Sequence, residues 1–148
     1  MVQEFVDEIK KLIDDTLNGV HTAMPGTISG ASGMTATVKP SVTFKTADGK
    51  SMAYPSLSGC PIVMPMSADG QIGVAFPVKA GDACLIVCCE STLSQWQSGN
   101  YNSGLRFGLS NAICVPCLLK AAPAAVSKAK AKDAAILFCE QAEVLVGK

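Results

Sequence analysis

Seven cysteines, one histidine and a few aromatic rings are the side chains in this 148-residue sequence whose types could do chemistry. Cys114 and Cys117, in "CVPC", have the two-residue spacing of thioredoxin-like and zinc motifs. A redox pair should open a helix, whose N-terminal dipole lowers the thiol pKa. Here the pair ends an apolar, strand-like run and encloses Pro116, which is hostile to a helix. A structural zinc site needs a second pair of ligands. Cys88 and Cys89 cannot supply it, because adjacent residues of a strand point to opposite faces. Most of the cysteines lie inside apolar segments such as "ACLIVCC", where a reduced thiol behaves as a small hydrophobe. Cys114 and Cys117 are therefore the metal or redox candidates, weak ones, and no cofactor is implied.

Other catalytic arrangements fare no better. His21 is the only histidine, so any Ser-His-Asp or Cys-His nucleophile would have to use it; its position at the end of an amphipathic run reads as capping or packing. Trp96, Tyr54, Tyr101 and Phe107 could stack bases, but single-strand binders join such rings to a basic groove. The surrounding sequence has few lysines and one arginine, Arg106. No glycine-rich phosphate loop is present, and paired carboxylates occur only on one face of the first amphipathic run. The expectation is a protein that is not an enzyme.

The elements that would hold these residues are legible from period. Apolar residues at Val2, Phe5, Val6, Ile9, Leu12, Ile13, Leu17 and Val20 follow three-and-four spacing, which predicts a helix ended by Asn18 and Gly19. "MTATVKPSVTFKT" alternates, with Val38, Val42 and Phe44 on one face, and predicts strands with Pro40 at an edge or bulge. "ADGK" and "SADGQ" are turns around Gly49 and Gly70, with the short strand "YPSLSGCPIVMP" between them. "QIGVAFPVKAGDACLIVCCE" reads as two strands joined at residues 79–82, the second buried on both faces through Cys89. Ser91 is the expected N-cap of a short helix that places Trp96 as a lid on one end of the barrel. A last strand follows. Short strands, glycine and proline turns and no βαβ alternation predict a mainly β fold, a small closed barrel of the oligonucleotide/oligosaccharide-binding (OB) type.

Four segments result: an N-terminal helix over 1–20, an OB barrel over 21–119, an Ala/Lys linker over 120–133 and a C-terminal β extension over 134–148. Lysine plus arginine equals aspartate plus glutamate at twelve each, which argues against nucleic acid as a partner. Apolar residues make up 49% of the chain, a surplus for a small monomer that an interface would cover. No apolar run approaches the roughly 20 residues needed to span a bilayer. The acidic start "MVQEFVDEIKKL" lacks a signal core, so synthesis in a cytoplasm is expected.

The order of segments carries a further indication. "PG-I", "FP-V-K-A-GD", "W-Q-SG" and "LSNA-CVP", in that order between about Phe5 and Pro116, resemble the N-terminal barrel of the phage baseplate central spike family, the membrane-piercing tail proteins. The resemblance implies a homotrimer docked on a baseplate hub protein, a location in the virion tail after synthesis in the host, and transient contact with the host envelope. It makes Gly81 and Asp82 the tight turn, residues 83–89 a core strand, and Trp96 the brace of the short helix. Relatives carry Asp where Asn111 stands and Gly where Cys117 stands. The trimeric needle of such proteins would start in the C-terminal strands; fifteen extended residues reach about 50 Å. A separate spike-tip protein, or further chain, would complete the needle. The expected trimer contacts are Phe5, Ile9, Leu12 and Ile13 of the first helix, with Ile136, Phe138, Val144 and Val146 of the extension. The alternative reading is an OB module that binds single-stranded nucleic acid or saccharide.

Overall fold

A computed structural model describes residues 2–46, 48–67, 69–99, 106–139 and 142–146. The chain divides into two compact units, Met1–Leu118 and Leu119–Lys148.

The first unit starts with α1 (Val2–Asn18), whose winding continues briefly as Gly19 and Val20 donate to the carbonyls of Thr16 and Leu17. A five-stranded antiparallel sheet follows, formed by β1 (Ala23–Ser32), β2 (Thr35–Pro40), β5 (Leu57–Pro61), β6 (Ala83–Cys88) and β7 (Ala112–Pro116). The strand order is β5-β2-β1-β6-β7, with β1 at the centre. The sheet curls until its two ends meet: Ile62 bridges Cys114 in parallel, and the Val63 N–H donates to the Cys114 carbonyl at 3.0 Å. This is a mainly β, OB-like half-barrel. A small hairpin of β3 (Thr43–Lys45) and β4 (Ser51–Ala53) is inserted between β2 and β5.

Alternation explains the interior. Met24 and Ile28 of β1, Ala36 and Val38 of β2, and Cys84, Ile86 and Cys88 of β6 point inward, joined by Cys60, Ile62, Ala112 and Cys114. Gly26 lies in the same inward row, where a Cβ would stand 2.5 Å from Ile86 Cδ1 and 3.0 Å from the Lys39 carbonyl. Two bulges bend the sheet. One falls between Ile28 and Gly30; the other sets Ser58 and Gly59 against Thr37, with Gly59 at φ 70°, a conformation that favours glycine.

Three details differ from the sequence reading. Residues 74–79 form no strand; Pro65 and Pro77 remove donors, and the segment is held by a bridge between Met66 and Gly73. β6 is buried on one face only and half-buried on the other, and it ends at Cys88. The short helix α2 (Leu93–Gln97) takes Thr92, not Ser91, as its N-cap residue. The turn before β6 is as expected: the Lys79 N–H donates to Asp82 Oδ2 at 2.7 Å, and the Asp82 N–H returns to the Lys79 carbonyl.

The second unit holds α3 (Ala124–Lys132) and a hairpin of β8 (Ala135–Cys139) and β9 (Ala142–Val146). The helix occupies most of the stretch read as a linker, since alanine and lysine are strong helix formers even without an apolar period. It ends at Asp133 in the left-handed region, φ 46°, with the Ala134 N–H on the Ala129 carbonyl. Lys128 of α3 pairs with Glu143 of β9.

Candidate functional site

The CVPC thiols do not form a pair. Cys114 is wholly buried in β7 and shares a hydrogen bond with Cys84, whereas Cys117 lies beyond the strand and is exposed. Burial pushes the Cys114 thiol up to about 12 and the Cys60 thiol up to about 11, the reverse of thiolate activation. Cys84 and Cys88 are raised as well, chiefly by burial. Cys117 adopts φ 74°, which suits glycine, the residue type its position led one to expect. Among the described residues, no three His, Cys, Asp or Glu side chains gather to hold a metal ion.

His21 has a packing environment. Its backbone N–H donates to the Phe107 carbonyl at 3.1 Å, and its ring meets Tyr54 edge-on at 5.4 Å. Tyr54 in turn tilts against Phe44 at 4.9 Å. Trp96 is not a lid: it is 63% exposed on α2. It borders a cavity of about 260 Å³ with Cys89, Glu90, Leu93 and Gln95. Tyr101 lies outside the described residues.

The more telling features are apolar faces left in solvent. α1 buries none of its residues; Phe5 is 62% exposed and Leu12 67%, and Ile9 and Ile13 are exposed with them. In the second unit Phe138, Val144 and Val146 are exposed and Ile136 is half-buried. All eight residues named as contacts from sequence thus lie on surfaces or partly open positions.

Two grooves on the barrel escaped the sequence reading. One, of about 460 Å³, is lined by Met34, Met64, Met66, Phe76 and Val78 around Ile62, with no charged side chain. Its signal was the methionine-rich "PIVMPM", which was read only as a strand. The other, of about 580 Å³, runs between β5 and the single 3-10 turn Leu109–Asn111 and is rich in serine hydroxyls. Asn111 borders it, 3% exposed, with its Nδ2 unpartnered.

The fold and the site together define the class: a mainly β, OB-like half-barrel preceded by an amphipathic helix whose apolar face lies in solvent. The model of one family, described as the phage protein Gp138 N-terminal domain, matches residues 24–117, from β1 to just past β7. That is more than half of the chain, which therefore belongs to this phage protein family. The helix α1 and the second unit lie outside the matched stretch. A comparison with curated proteins found no match.

Proposed function

We propose that this protein is a structural component of the central spike at the baseplate hub of a phage tail or related contractile injection machine. Three copies cap the hub coaxially, and their C-terminal strands wind together and help to puncture the host envelope. The role is mechanical and needs no catalyst or cofactor. Family membership supports a phage structural protein, and the observation that carries the finer reading is the exposed apolar stripe of α1. Burying apolar surface contributes about 25 cal/mol per Å², so a helix with Phe5, Ile9, Leu12 and Ile13 in water is a strong drive to associate.

The test is molar mass in solution by light scattering, in reducing buffer across a range of concentrations. A stable mass near three times 15.3 kDa is expected. Ile9→Asp should lower it, because the carboxylate would have to be desolvated at the seam. A clean monomer at every concentration overturns the spike reading. It would favour the OB-module alternative, for which the uncharged serine-rich groove beside Asn111 points to saccharide rather than nucleic acid.

A further inference from the structure

The chain carries two unpartnered apolar features: the stripe of α1 and the methionine-lined groove at the far end of the barrel. We propose that they are halves of one contact, with α1 of one copy seated in the methionine groove of a second copy. This rests on the trimer reading above and names what the helix packs against.

Reach argues that the occupant is a second copy. The His21 N–H is tied to the Phe107 carbonyl at the start of β1, and the helical bonding continues to Val20, so no slack precedes it. The groove lies around Ala31, Gly33 and Met34, at the other end of β1. Ten residues of strand separate His21 from Ala31, roughly 30 Å at about 3.3 Å each. Folded straight back along its own strand, α1 would carry Ile9 only about 17 Å at about 1.5 Å per residue. The centre of the stripe stops near the middle of its own barrel.

Charge argues for barrel over helix as the partner. Residues 2–18 hold five acidic side chains (Glu4, Asp7, Glu8, Asp14, Asp15) and two lysines (Lys10, Lys11), a net of −3. Bundling three such helices would gather a net charge of −9 about one axis. The barrel, residues 21–118, holds five basic side chains against four acidic, a net of +1. Exposed Lys79 follows the groove residue Val78. The groove itself is uncharged, and methionine adapts to an irregular apolar partner. Each copy then gives one helix and receives one, a head-to-tail contact that closes into a ring of three.

Two exposed groove positions and one exposed helix position test this. Met34→Asp with Met66→Asp should weaken association by about tenfold or more, read from the concentration dependence of mass. In a Cys117→Ser/Cys139→Ser background, an Ile9→Cys chain mixed with a Met66→Cys chain should form a disulfide between the two variants, and Ile9→Cys alone should form none. A trimeric mass with cross-linking of Ile9→Cys alone overturns the groove contact but keeps the trimer, as does a trimer in which neither cross-link forms. An Ile9→Cys/Met66→Cys chain that closes on itself at high dilution also overturns it. A monomeric mass for the unsubstituted protein removes the trimer reading and this one together.

Discussion

At Cys117 the backbone is held at φ 74° by a side chain that disfavours it. Left-handed conformation costs an ordinary residue about 1 kcal/mol relative to glycine. Cys117→Gly should therefore stabilise the barrel by up to about 1 kcal/mol, less the entropy glycine adds to the unfolded chain, as a rise in the urea midpoint would show. The buried thiols make a second expectation. Cys60 and Cys114 bind their protons more tightly folded, at about 11 and about 12, than at the ordinary 9.0. Their contribution is fully present below pH 9 and is lost as pH rises through 11 and 12, because only the unfolded chain releases those protons easily. Thermal melts in reducing buffer should be flat with respect to these groups up to pH 9 and fall above it, and Cys114→Ala should flatten that fall. Whether CVPC was a pair turned on what each residue faces. The sequence shows that Pro116 forbids a helix there but not that Cys114 turns inward and Cys117 outward.

Elements were legible where one period dominated. The three-and-four spacing from Val2 to Val20 marks α1, and the alternation of "MTATVKPSVTFKT" marks β2, whose residues meet one apolar side and one solvent side; β6 was legible as a strand from its apolar run, but not that only one of its faces is buried. Residues 74–79 misled because "VAFPV" has the composition of a strand, while Pro77 removes a donor that a ladder there would need. The 120–133 stretch misled in the opposite way: its low complexity hides a helix built on propensity alone. Where elements cross closely, one atom decides. At Gly26→Ala the new methyl would fall 2.5 Å from Ile86 Cδ1 and 3.0 Å from a backbone carbonyl that cannot move freely. A loss of about 1–3 kcal/mol in urea unfolding is expected.

For the molecule as a whole, the sequence foretold a surplus of apolar side chains but not their distribution. The methionine groove joins residues from the β1–β2 turn, the chain after β5 and the run before β6, a convergence that only the closed sheet creates. Because α1 contributes no side chain to the core, removing residues 2–18 should leave the melting temperature of the barrel within a few degrees of the intact protein at concentrations low enough for its copies to be apart. The same deletion should abolish or sharply weaken association, and circular dichroism with light scattering on one sample reads both effects. The independence of core and helix also orders events in time. In the assembly proposed above, the half-barrel would close at a rate indifferent to how many copies are present, while joining would be bimolecular and wait on concentration. Newly made chains would then pass through an interval as finished barrels with a bare helix, its length set by how fast the cell supplies the next copy.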